Sequence, residues 1–317
     1  MTGLGGRHVA AGNETPAAGA HGGDAARIAR ALGVDVGDLL DLSASLNPVA
    51  PDLRSLLAGR LDAIGRYPDV TLATEAMAAV LGADPDRVLL TNGGAEAIAL
   101  VAAERPEGWF EPPEFSLYGR HLSDVRPDAP RWQSNPSSPL GALADETATA
   151  SVWDEAFFPL ATGRWTRGDT ASGSTIVGSL TKLFSCPGLR IGYVLSEDTD
   201  LIGRLARRQP GWAVNGLACD ALPAMLERAS IVEWARATAT LRADLVLLLT
   251  AHGYTCWPGV ANWVLVEAPG LRERLIAHRI VVRDCGSFGL PGVARIAVPD
   301  ADDMVRLQRA LGQLTPR

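Results

Sequence analysis

The chain has 317 residues and a single lysine, Lys182, against 28 arginines. Almost every position that needs positive charge has arginine. The exchange is not neutral, because only lysine carries a primary amine that can lose a proton and attack a carbonyl. Other scarcities narrow the field. There are four cysteines, Cys186, Cys219, Cys256 and Cys285, set far apart. They form neither a metal-ligand spacing nor a disulfide framework, so no metal is expected and a reducing cytoplasm is the expected location. No apolar run approaches the roughly 18 residues of a membrane span; the longest lies around 245–249. Basic charge is also short. The net charge of -7 argues against a general nucleic-acid binder or a protein of anionic membrane surfaces. Residues 1–20 are rich in glycine and alanine with no apolar core, which reads as a flexible lead and not a signal peptide.

What is present has the pattern of a soluble α/β enzyme. Hydrophobic residues make up 47% and charged residues 21%. No internal repeat is visible. The spacing predicts helices over 24–40, 51–63, 71–82 and 95–103, and short buried strands over 88–90, 109–111, 131–133, 151–153, 175–178 and 190–195. That alternation predicts a mostly parallel central sheet with helices on both faces. From about 201 the chain turns helical, with a long helix over 231–252. Strands at 263–267, 280–283 and 295–298 and helices at 270–278 and 301–312 follow. Asp300 is a good N-cap for the last helix. The expected domains are a large α/β unit over 45–212 and a smaller α+β unit built from 21–44 and 213–317.

Lys182 stands in GSLTKLFSCPGLRIGY, directly after the predicted strand 175–178. Ligands of open α/β sheets gather at the carboxyl ends of strands. Ser179 lies three residues before the lysine and Arg190 eight after it. An amine between a hydroxyl and a fixed guanidinium suits a phosphorylated aldehyde: the amine forms an imine while Ser179 and Arg190 bind the phosphate. Pyridoxal 5'-phosphate is such a molecule.

The pattern S-L-T-K-x5-G-L-R-I-G-Y resembles the Schiff-base segment of fold-type I pyridoxal-phosphate enzymes, in the class I/II aminotransferase superfamily. The resemblance covers most of the chain and implies fold, cofactor and site. It makes Lys182 the Schiff-base lysine and puts Ser179, Thr181 and Arg190 around the cofactor phosphate. TNGGAEAI at 91–98 matches the turn whose Gly94 and Ala95 N–H groups meet that phosphate at a helix N-terminus. In WDEAF, Asp154 takes the place that pairs with the pyridinium nitrogen. In PPEFSLY, Phe115 is the ring-stacking aromatic. RYPD at 66–69 resembles the segment whose Tyr67 reaches the cofactor of a neighbouring subunit, which implies a homodimer.

Within the superfamily, four segments are similar to the threonine-phosphate decarboxylases of cobalamin biosynthesis: HGGD at 21–24, LSASLNPVAP at 42–51, QPGWAVNGLA at 209–218 and VVRDCGSFGLPGVARIAV at 281–298. The implied reaction turns L-threonine O-3-phosphate into (R)-1-amino-2-propanol O-2-phosphate. Its substrate carries a carboxylate and a phosphate, for which Arg283, Arg295, His21, Gly22, Gly23 and Asn47 are the candidate contacts. A histidinol-phosphate-type aminotransferase is the alternative, and a non-catalytic, cofactor-binding partner protein is a third reading. Two departures bear on the ring. Ser138, in NPSSPLG, stands where the family has the asparagine that bonds the ring hydroxyl, and Phe157 stands where many aminotransferases have tyrosine. The chain is also trimmed. Only 19 residues separate Phe115 from Asn135, and 12 separate Gly141 from Asp154. One or two covering helices are therefore expected to be missing, leaving apolar sheet surface bare unless a subunit or partner covers it.

Overall fold

The computed structural model describes Ala17, Gly19 and residues 22–314. Most of the 1–20 lead, and His21, lie outside the described residues. The central sheet has five strands in the order Val88–Thr91, Gly192–Leu195, Thr175–Ser179, Val152–Asp154, Trp132–Ser134. Its strands are apolar on both faces, and all five residues of Thr175–Ser179 are buried, as expected for a sheet covered on both sides. The last three strands run parallel to one another. Gly192–Leu195 runs antiparallel to both of its neighbours. Four of the five strands therefore run the same way, so the sheet is mostly parallel as expected, with Gly192–Leu195 alone reversed. The chain turns back from Ser179 to Gly192 without a crossover long enough to reverse direction again. Of the predicted strand 109–111, only a bridge between Trp109 and Arg131 forms.

Helix Gly94–Glu104 buries Ala97, Ile98, Leu100, Val101 and Ala102 against this sheet. On the other side, helices Thr71–Leu81 and Gly216–Glu227 pack into one core with Trp153, Ile176 and Tyr193. Asn215 starts the second of these by accepting the Ala218 N–H. That helix, read from sequence as part of the smaller domain, thus belongs to the core of the large sheet. The two cores meet along the 21-residue helix Ile231–Ala251: Trp234 packs in the first core, while Leu245 and Leu249 pack in the second. The second core lies under an antiparallel sheet ordered Arg283–Asp284, Val293–Ala297, Trp263–Glu267, Thr255–Cys256. Leu40–Asp41 pairs in parallel with Ile280–Val281 and ties the N-terminal part to it. Helix Ala301–Gln313 closes this unit, and Asp300 accepts the Asp303 N–H as its cap.

The trimmed connections differ from expectation in an instructive way. The first holds both a six-residue helix, Ser116–His121, and a short strand, Asp124–Val125. The second has no helix between Gly141 and strand Val152–Asp154. Even so, Trp132, Val152 and Trp153 are buried within the single chain. Among the described residues these side chains are not bare: Trp132 and Val152 pack with Ile98, Leu117 and Tyr118, and Arg167 covers Trp153. Its guanidinium stacks on Trp153 at 4.7 Å and donates to the carbonyls of Asp145, Glu146 and Ala148 at 2.8–3.0 Å. It is neutralised by Asp169 at 2.6 Å. An irregular loop clamped by one arginine lies where a covering helix was expected to be missing.

Candidate active site

A cavity of about 440 Å³ opens at the carboxyl ends of the parallel strands. Strand Thr175–Ser179 runs straight into a single helical turn, Leu180–Leu183, which places Lys182 on the cavity wall. The lysine is pinned from behind: its carbonyl accepts the Asn47 N–H, and the Asn47 side chain donates to the Leu183 carbonyl at 2.8 Å. Burial pushes the amine below the usual lysine range, and the Arg190 guanidinium pushes it the same way; Asp154 opposes both. A depressed amine is the one that reacts as a nucleophile at neutral pH.

One end of the cavity is cationic and rich in donors. Ser179, Thr181, Arg190, Gly94 and Ala95 all line it. The Ser179 and Thr181 hydroxyls are 2.8 Å apart. Gly93 has φ +77° and starts the Gly94–Glu104 helix, whose first N–H groups face this end. A Cβ at Gly93 would lie 2.5 Å from the Arg190 guanidinium, and one at Gly192 would lie 2.6 Å from the backbone of Gly93 and Gly94. The absence of side chains at these two positions lets the guanidinium and the helix N-terminus converge. Arg190 itself is held in a left-handed conformation, φ +53°.

Asp154 ends its strand beside this end of the cavity. Tyr118 donates its hydroxyl to one carboxylate oxygen at 2.9 Å, and the Ala156 N–H donates to the other at 3.0 Å. Burial raises Asp154, and these two donors and Lys182 lower it in part. Phe115 lines the wall and meets Tyr118 edge-on at 6.0 Å. Phe157 lies 5.9 Å from the Lys182 amine, and Ser138 also lines the wall. At the far end, Arg283 and Arg295 are direct partners on adjacent antiparallel strands. Both are buried and both face the cavity. Arg295 lies over Trp263 at 4.9 Å, and its Nε has no hydrogen-bond partner among the described residues. Burial, with the neighbouring Arg283, pushes Arg295 down. Gly22 and Gly23 close over this end, where the Gly23 N–H donates to Ser43 Oγ at 2.9 Å.

The model of the aminotransferase class I and II family matches residues 134–311, more than half of the chain. The chain belongs to that family. It is 29% identical to the threonine-phosphate decarboxylase of Salmonella typhimurium, over 92% of this chain and 95% of that one. It is 25% identical to histidinol-phosphate aminotransferase 1 of Dechloromonas aromatica, over 90% and 92%. The solved histidinol-phosphate aminotransferase of Sinorhizobium meliloti, in complex with pyridoxal-5'-phosphate, shares the fold with a TM-score of 0.73. That match is 19% identical and covers 84% of this chain and 88% of that one. The fold is that of the fold-type I enzymes, and the cofactor of the family is pyridoxal 5'-phosphate.

The residues present fit that cofactor. The glycine-lined cationic end suits a phosphate. The Asp154 carboxylate, costly to bury alone, suits a protonated ring nitrogen. The depressed Lys182 amine suits an aldehyde carbon. Of the residues singled out in the sequence, Gly94, Ala95, Phe115, Ser138, Asp154, Ser179, Thr181, Lys182, Arg190, Gly22, Gly23, Arg283 and Arg295 come together around this one cavity. Asn47 does not line it; its amide is spent on the Lys182 segment and on the Val49 N–H. Tyr67 lies outside, 74% exposed, and stacks on Trp212 at 4.5 Å. Sequence reasoning missed Tyr118, Glu114 and Ser134. The signal was available, since Tyr118 closes the PPEFSLY segment already singled out for Phe115. Ser134 immediately precedes the NPSSPLG segment already singled out.

Proposed function

We propose that the chain decarboxylates L-threonine O-3-phosphate to (R)-1-amino-2-propanol O-2-phosphate in cobalamin biosynthesis. The observation that carries this reading is the register pair Arg283 and Arg295, two buried guanidiniums that line the same cavity as Lys182. A small substrate with two anionic groups matches two adjacent cations at that end. Arg190 stays with the cofactor phosphate at the other. The similarity to the Salmonella decarboxylase along almost the whole chain supports the same reading.

Bound pyridoxal 5'-phosphate supplies an acceptor for the electron pair left on the substrate Cα when a bond there breaks. The protein's part is positional. Lys182 provides the amine that holds the cofactor and is then free to return a proton to Cα. Asp154, oriented by Tyr118 and the Ala156 N–H, would hold a proton at the ring nitrogen. Ser179, Thr181, Arg190 and the N–H groups of Gly94 and Ala95 would hold the phosphate, and Phe115 would pack beside the ring. Arg283 and Arg295 would bind the substrate's anionic groups and so orient its Cα carboxylate for loss as carbon dioxide, with one proton returned to Cα.

The test is release of carbon dioxide from L-threonine O-3-phosphate by purified protein with added cofactor. No release at high enzyme concentration sinks the reading. The histidinol-phosphate-type aminotransferase is the second reading, favoured by the similarity to the Dechloromonas enzyme. Amino transfer from histidinol phosphate to 2-oxoglutarate would establish it instead. The chain is also proposed to work as a homodimer. Leu61, Ile64, Tyr67, Leu72 and Trp212 all present large exposed apolar side chains, a surface a second copy would bury. Tyr67 of one copy would then reach the cofactor phosphate of the other. A monomer by light scattering at micromolar concentration would remove that role.

A further inference from the structure

Glu114 does not line the cavity, yet it joins most of the wall that would face a cofactor ring. One carboxylate oxygen accepts the Ser134 N–H at 2.9 Å, and the other accepts the Phe115 N–H at 2.8 Å. Both lie within 2.8 Å of the Ser134 hydroxyl. The Ser134 hydroxyl in turn accepts the Ser138 N–H at 2.7 Å. One carboxyl group thus ties together three residues of the wall, Phe115, Ser134 and Ser138. Ser134 is also the register partner of Asp154 on the adjacent strand, so the same link continues to the Asp154–Tyr118 bond.

The direction of these bonds matters. When Glu114 is ionised, the Ser134 hydroxyl gives its proton toward it, and in either protonation state its lone pairs can accept from the Ser138 backbone. The Ser138 N–H is consumed in this way. The Ser138 hydroxyl makes no hydrogen bond to any described residue, although the residue is buried and lines the cavity. The turn is held by its backbone, and its one remaining donor is left for whatever occupies the cavity.

We propose that Glu114 is a positioning residue for the cofactor ring: it fixes Ser134 and Phe115, and through Ser134 it aims the Ser138 hydroxyl into the cavity. This rests on reading the cavity as the pyridoxal 5'-phosphate site. It also gives the serine at 138 a way to serve where an asparagine is usual. A short side chain reaches a ring substituent only if its backbone is held in place, and Glu114 does the holding.

The experiment titrates cofactor-free protein with pyridoxal 5'-phosphate, reading affinity by fluorescence quenching and the bound state by its absorption band. Glu114→Ala and Ser138→Ala are each expected to weaken affinity about tenfold and to shift the band. The double variant is expected to be no weaker than the worse single one, because both changes remove one interaction. Glu114→Gln keeps an acceptor for Ser134 and is expected to restore affinity to within about threefold. Unchanged affinity and band in Glu114→Ala overturn the proposal, as do fully additive losses in the double variant. If Glu114→Ala does not fold, Glu114→Asp tests the same reach, and an unchanged band there overturns it equally. Absence of any band in the unaltered protein would instead overturn the cofactor reading, and this proposal with it.

Discussion

At the Lys182 end of the cavity, backbone packs against backbone. Gly192 sits so close to Gly93, Gly94 and the Gly178 carbonyl that a Cβ would lie within 2.7 Å of all three. At the Ser138 end, the wall is held by side-chain hydrogen bonds that run from Glu114 through Ser134. The first arrangement tolerates no added atom. The second can be rebuilt with different residues as long as donors and acceptors still match. This accounts for where the sequence keeps the family pattern and where it departs from it. The segment around Lys182 and Arg190 resembles the family's Schiff-base segment, while Ser138 stands where the family has asparagine.

The sharpest test of the rigid end is Lys182→Ala. It should abolish the cofactor absorption band and turnover together; a persisting band would mean that another group holds the cofactor. Arg295→Ala should lower kcat/KM by about a hundredfold or more, the loss expected for one partner of a buried charged contact. Cofactor affinity should stay unchanged, and normal turnover would show that the substrate anions bind elsewhere. Gly192→Ala should destabilise the fold by about 1–3 kcal/mol or more through overpacking against backbone that cannot give way, read as a lowered denaturant midpoint. Arg167→Ala should cost about 2–4 kcal/mol, because three carbonyls lose a charged donor and Trp153 loses its cover.

The last expected effect is one of pH. Burial pushes the carboxyls of Glu114 and Glu155 up to about 7 from the usual 4.5. A carboxyl raised in the folded state holds its proton where the unfolded chain has lost it. Stability should therefore fall as pH rises from about 4.5 to 7 and level off above that. Glu114→Gln and Glu155→Gln should each flatten this slope in thermal melts; an unchanged slope would show that neither group titrates in the folded protein near neutrality.

Much of the fold was legible from periodicity. The strands at 88–91, 152–154, 175–179 and 263–267 and the helices at 71–81 and 301–313 lie within a few residues of their expected places. What periodicity could not show was direction. The antiparallel course of Gly192–Leu195 depends on how the chain returns from Arg190, and alternation in sequence is the same for either direction. The trimmed region was misjudged because length was taken as coverage. Fewer residues do mean fewer helices, but Arg167 lies distant in sequence from the loop that it clamps. No local pattern marks it among 28 arginines.

The site divides along the same line. Lys182, Ser179, Thr181 and Arg190 belong to one contiguous segment, so sequence alone brought them together as candidates, and they line one cavity. Asn47 reached the right neighbourhood but serves the lysine's backbone, not the substrate. The meeting of Arg283 with Arg295, and the hold of Glu114 on Ser138, were decided only by tertiary structure. Each joins residues on separate elements, where hydrogen-bond direction and strand register determine what faces the cavity, and neither quantity is written in the order of the residues.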